Sequence, residues 1–241
     1  MEAKKQKLHP LSRLIGLFSG TVLLCYAFRV LFVEMLAVKD FLLCLGAAAL
    51  GAVGTLLPAA AATPHREERE RIVKSGLAIL FAFYIACLLG MLFTARLDGT
   101  ANLAQRREEY LAHWDTHINL IPLKTVKRYL TALSRGIIPI TSLNNLSGNA
   151  ILMVPMAVLA PCLFPGLRRP WRFFLLSLFL LLAIEGLQLL LCVGICDVDD
   201  VILNFAGGAI TYLLLKLTWI QRGMAHLCLL PKQEQAVEVP A

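Results

Sequence analysis

The chain has 241 residues and a net charge of +7, yet 58% of them are hydrophobic, only 16% are charged, and the mean hydropathy is +0.71. Soluble domains carry about 25% charged and roughly 45–50% apolar residues, so this balance excludes a disordered chain, a fibrous protein and a conventional soluble enzyme. The charges cluster between long apolar runs, which makes them orientation signals at a membrane; no nucleic-acid partner is expected.

A bilayer crossing needs roughly 17–25 mainly apolar residues. Six runs meet that length in chain order: Leu14 to Val33, Phe41 to Ala62, Gly76 to Ala95, Asn149 to Pro165, Phe173 to Val193 and Val201 to Trp219. The expected fold is all-α: a polytopic integral membrane helical bundle of about six transmembrane helices. The first run follows Lys4, Lys5, Lys7 and Arg13 like a signal peptide, but it is long, contains Arg29 and lacks an A-x-A cleavage site, so it is read as retained. Gly16 with Gly20, and the small residues from Gly46 to Gly54, predict close helix packing in the first two runs. In the fourth, Pro155, Pro161 and Pro165 each remove a backbone donor, and a broken or kinked span is expected.

Alternate connecting segments carry 13 basic residues on one side and 8 on the other. Seven of those 8 lie in the long segment from Arg96 to Gly148, where the charge rule weakens. Both termini are therefore predicted to be cytoplasmic, with the long segment and the Val193 to Val201 turn facing outward.

The outward segment has two polar features. His113 and His117 stand at i,i+4, a zinc-compatible spacing without the Glu of HExxH, and are read as part of a solvated interfacial helix. Leu120, Leu123, Val126 and Leu130 alternate with Lys124, Lys127 and Arg128, a pattern suited to lying on a lipid surface. Asn145 and Asn149, also at i,i+4, stand where the fourth run starts, as helix caps or as polar contacts.

An acidic residue inside hydrocarbon is costly and marks a candidate site. Glu185 is the clear case, with Gln188 on the same face; it either ties helices together or works as an acid or base. The short connection that follows predicts an antiparallel hairpin. About a turn centred on Cys196, Gln188 and Asn204 lie at equal depth, as do Glu185 and Gly207, which leaves room beside Gly207 for a ligand group or a close backbone approach. Asp197, Asp199 and Asp200 exceed what one helix cap requires; the surplus either caps or binds a hard cation or a cationic group. Seven cysteines, odd in number and mostly within apolar runs, form no disulfide framework, although Cys192 and Cys196 share an i,i+4 spacing.

The succession of Asn119-Leu120-Ile121-Pro122, then Asn149 with Pro155, then Glu185 and Gln188, then Asp197-Val198-Asp199-Asp200 with Asn204 and Gly207-Gly208, resembles the VanZ-like family of bacterial membrane proteins. The resemblance covers about residues 117 to 215. It implies a multi-pass cell-membrane protein related to an accessory determinant of teicoplanin-type glycopeptide resistance. It points to Asn119, Pro122, Asn149, Pro155, Glu185, Gln188, Asp197, Asp199, Asp200, Asn204 and Gly207 without implying a reaction; of these, Asn119, Asn149, Gln188, Asp197, Asp199, Asp200, Asn204 and Gly207 are read as substrate-binding and Glu185 as the catalytic candidate, with no metal ligand and no cofactor assigned. The chain then divides into a three-span segment (1–95), an outward amphipathic loop (96–148), a VanZ-like membrane core (149–220) and a cytoplasmic tail (221–241).

Two functions compete. One is a factor in resistance or envelope homeostasis that binds membrane lipid, a lipoglycopeptide or a lipid-linked cell-wall precursor at the outer face. The other is an intramembrane enzyme acting on a lipid or cell-wall precursor, with Glu185 as acid or base and the aspartates holding a divalent cation. Transport is less attractive, since only one intramembrane acid and no inverted repeat are present.

Overall fold

The computed structural model describes residues 46–54, 60–61, 63, 65–93, 103–136 and 140–230. The expected span from Leu14 to Val33 lies outside the described residues. Of the one from Phe41 to Ala62, residues 46–54 and 60–61 are described, and all are helical. The succeeding elements are α1 (Arg66–Phe93), α2 (Leu103–Ala112), α3 (Trp114–His117), β1 (Ile118–Asn119), α4 (Lys124–Ser134), α5 (Ile140–Leu152), α6 (Val154–Leu163), a 3-10 turn (Pro165–Arg168), α7 (Pro170–Leu190), β2 (Cys196–Asp197), α8 (Val198–Leu214) and α9 (Thr218–His226).

Three helical runs among the described residues are long and apolar enough to cross a membrane: Arg66–Gly90, Leu146–Leu163 and Pro170–Leu190. α8 and α9 make a fourth if that pair, bent by 77°, is one span. The described residues thus hold three or four spans, and the sixfold count is not established. The protein is a largely helical membrane protein. Its apolar residues also point outward: Leu175, Phe179, Leu182 and Leu190 on α7 are 65%, 67%, 55% and 76% exposed, a surface that water would not tolerate and lipid does.

The third span starts earlier than expected because its polar prefix is helical too. Glu67 and Glu68 sit in the first turn of α1, where carboxylates oppose the helix dipole, and Arg66 pairs with Glu70 at 2.9 Å. The fourth span is broken, as its prolines predict. The break falls at Met153, between α5 and α6, because Pro155 has no N–H to offer the preceding turn. Tyr84 of α1, fully buried, donates its hydroxyl to the Leu152 carbonyl at that break, 3.1 Å away. One expectation fails here: α5 begins at Ile140, so Asn149 sits well inside a helix and caps nothing.

α7 and α8 form the expected hairpin. The Val193 N–H returns to the Gln188 carbonyl at 2.9 Å with Cys192 in the left-handed region (φ 53°), a Schellman stop, and Gly194 (φ 76°) turns the chain again. The sixth span is shorter than the expected Val201 to Trp219. α8 ends at Leu214, and the chain turns before α9 starts at Thr218. The core lies where α1, α6, α7 and α8 meet; Phe173 stacks on Tyr212 at 4.4 Å, and the Tyr212 hydroxyl donates to the carbonyls of Leu167 and Arg168.

Candidate functional site

The segment that carries α2 and α3 meets the hairpin through two short strands. β1 pairs with β2 in parallel, Ile118 opposite Cys196 and Asn119 opposite Asp197. This register brings the acidic turn against the start of α4, and each aspartate then finds different donors.

Asp197 is the N-cap of α8: its Oδ1 accepts the Asp199 N–H at 2.9 Å. The same oxygen accepts Asn119 Nδ2 at 2.8 Å, and Oδ2 accepts the Thr125 hydroxyl at 2.8 Å. Asp199, completely buried, caps a different helix. Its Oδ1 accepts the N–H of Leu123 at 2.5 Å, and its Oδ2 accepts those of Thr125 at 2.7 Å and Val126 at 3.2 Å. These are orphan donors of the first turn of α4, where a carboxylate also opposes the helix dipole. Leu123 adopts φ 61° to aim its N–H there, a conformation that costs a leucine roughly 1–2 kcal/mol and that a charge-assisted hydrogen bond can offset. Asp200 accepts the amide of Asn149 from α5, and its own carbonyl accepts Asn204 Nδ2 at 2.8 Å.

The acids are therefore taken up by N–H and O–H donors. Among the described residues no three His, Cys, Asp or Glu side chains gather as a metal site. Between α4, α5 and the start of α8 lies a cleft of about 390 Å³. Its polar walls include Asn119, Lys124, Arg128, Asn149, Asp197 and Asp200, and its apolar walls include Leu146, Ile195 and Leu203.

The sequence-selected residues fall into two groups. Asn119, Asn149, Asp197 and Asp200 line the cleft. Asp199, Gln188 and Asn204 are buried beneath it or along the hairpin. Asn204 Oδ1, Asn119 Oδ1 and His117 Nδ1 are buried there without a hydrogen-bond partner. Gly207 does not open space for a ligand: a Cβ there would lie 1.8 Å from the Ala150 carbonyl oxygen, so α8 crosses α5 backbone to backbone. Glu185 stands behind β2, where it accepts the Asp197 N–H at 3.3 Å and the Cys196 thiol.

Sequence reasoning missed Lys124, Thr125 and Arg128 as cleft residues and Tyr110 as the prop of β1. Tyr110, buried, donates to the His117 carbonyl at 3.3 Å and stacks on the His117 ring at 4.4 Å; His113 is exposed, so the two histidines do not share one solvated helix. Burial, then Cys196, Cys192 and Glu185, hold the Tyr110 hydroxyl above its ordinary range. Burial first and the Glu185 carboxylate second push the Cys196 thiol up. The available signal was Thr125 itself, a side chain with donor and acceptor at the head of an amphipathic helix.

A family model described as VanZ/LLP1 matches residues 81–220, more than half of the chain. The chain belongs to the VanZ/LLP1 family. The match runs from the second half of α1 through α8, and so takes in the segment that carries α2 to α4 and the whole acidic hairpin of this VanZ/LLP1 protein. No curated protein and no solved structure matches it. Family membership agrees with the apolar helices in making it a membrane protein.

Proposed function

We propose that this VanZ/LLP1 protein binds the polar head of a lipid-tailed amphiphile in the cleft between α4, α5 and α8, while the tail stays in the bilayer. The amphiphile is a teicoplanin-type lipoglycopeptide or a lipid-linked cell-wall precursor, and the cleft end of the hairpin faces outward from the cell membrane. The observation that carries the reading is the cleft, whose charged and amide walls adjoin apolar ones at the end of membrane-crossing helices. Arg168, Arg169 and Arg172 at the opposite end of α7 support the orientation, with both termini cytoplasmic.

Binding is favoured over catalysis by Glu185, which holds the Asp197 N–H and the Cys196 thiol and lies outside the cleft lining. A glutamine there keeps an acceptor oxygen for the Asp197 N–H. Teicoplanin tolerance conferred on a susceptible host should therefore survive Glu185→Gln and be lost with Asn149→Leu. Tolerance unaffected by wild type, or lost with Glu185→Gln in a folded protein, would overturn the binding reading.

A further inference from the structure

We infer that the α4 wall of the cleft is a phosphate site: Lys124 and Arg128 hold the phosphodiester of the bound head group, and the acidic wall receives a hydroxyl or ammonium on the same head. The inference rests on the cleft being an amphiphile site and specifies the chemistry that it takes.

Charge accounting carries the argument. Four charged side chains line the cleft: Lys124, Arg128, Asp197 and Asp200. Both oxygens of Asp197 accept internal donors, and Asp200 accepts Asn149. The cations stand otherwise. Among the described residues neither Lys124 nor Arg128 takes part in a salt bridge, and both side chains are exposed. Neither acid across the cleft forms an ion pair with these cations, which stand solvated and available to an anion from elsewhere.

Geometry selects the anion. Lys124 and Arg128 are four residues apart in α4, so they project from one face about 5–6 Å apart at Cβ, a spacing that brackets one tetrahedral oxyanion. Arg supplies a planar fork and Lys a point charge, the two usual ways of holding phosphate. Tyr129 lines the same wall with a phenolic hydroxyl able to donate. A bare phosphate would meet the carboxylates opposite. A phosphodiester with a hydroxyl or ammonium pointing at Asp200 presents complementary groups to both walls, which disfavours a choline head, where no donor remains. Leu146 and Leu203 then meet the first methylenes of the tail.

The test is lipid binding by the full chain in nanodiscs, read by native mass spectrometry and by competition. Phosphatidylglycerol and phosphatidylethanolamine should bind at least tenfold more tightly than phosphatidylcholine. Lys124→Gln/Arg128→Gln should abolish that preference, whereas Lys127→Gln/Arg135→Gln, which removes equal charge outside the cleft lining, should leave it intact. Inorganic phosphate as competitor separates free anion from head group; displacement of the lipid by millimolar phosphate alone would assign the site to the free ion and overturn the head-group claim. Equal affinity for phosphatidylcholine, or equal losses in both double variants, would overturn it too. A phosphate-free glycolipid distinguishes the two levels. If it binds the wild type as well as phosphatidylglycerol does and Asn149→Leu weakens both, the phosphate assignment fails while the amphiphile cleft stands. If Asn149→Leu changes neither, the cleft itself is misassigned.

Discussion

Asp199 is the residue on which the site turns. Its carboxylate satisfies three backbone donors across 73 to 76 positions of sequence, so its loss strands buried N–H groups and frees the start of α4. Asp199→Ala should cost about 1–3 kcal/mol of stability, measured by thermal unfolding, with new proteolytic cleavage between residues 120 and 135. Gly207 is the second such position. Gly207→Ala forces its Cβ into the Ala150 carbonyl and should cost about 1–3 kcal/mol or more, while Gly208→Ala, whose Cβ would lie 3.1 Å from the Met153 Cβ, meets a milder overlap and should cost less. Cys196 offers a pH test. Burial and the Glu185 carboxylate hold its thiol above an ordinary thiol, so in a variant keeping only that cysteine the alkylation midpoint should lie above that of a solvent-exposed cysteine. Glu185→Gln removes a neighbouring negative charge but not the burial, so the midpoint should move down without reaching the ordinary value.

At the scale of elements, two interruptions shape the molecule. The break at Met153 separates α5, which supplies Asn149 to the cleft, from α6, which supplies Met156, Ala157 and Ala160 to the core. The second interruption ends α8 at Leu214 and turns α9 by 77°. α9 exposes Trp219 by 72% and carries Arg222, the pairing of indole and basic side chain expected at a lipid–water boundary. It should lie along the membrane surface. A cysteine placed at Arg222 is expected to react with a membrane-impermeant maleimide in inside-out vesicles and one at Thr211 to be protected; the reverse pattern would make α9 a continuation of the span.

For the molecule as a whole, the hairpin sets two ends with opposite duties. One carries the aspartates and the cleft; the other carries Arg168 and Lys216, with the Lys216 amine donating to the Arg168 carbonyl at 2.7 Å. The proposed orientation predicts that cysteines at Lys127 and Arg172 label from opposite faces of the membrane, Lys127 in intact cells and Arg172 only after permeabilisation.

Much of this was legible from residue order. Apolar run length set the helical membrane character, the prolines announced the broken fourth span, and the short connection after Val193 demanded the hairpin, because each follows from backbone hydrogen bonding within a few residues. The acidic turn was visible as a surplus of carboxylates over one cap, and Asp197 fills that cap. Its other destinations were not visible. Asp199 caps α4, Asp200 meets Asn149 and Gly207 meets Ala150, partners separated by tens of residues. Lys124 and Arg128 read locally as the polar face of a surface helix, and only the β1–β2 pairing turns that face toward the cleft. Local patterns dictate which segments are helical and apolar; which donor satisfies which buried carboxylate depends on how distant segments pack, and that is a property of the folded chain alone.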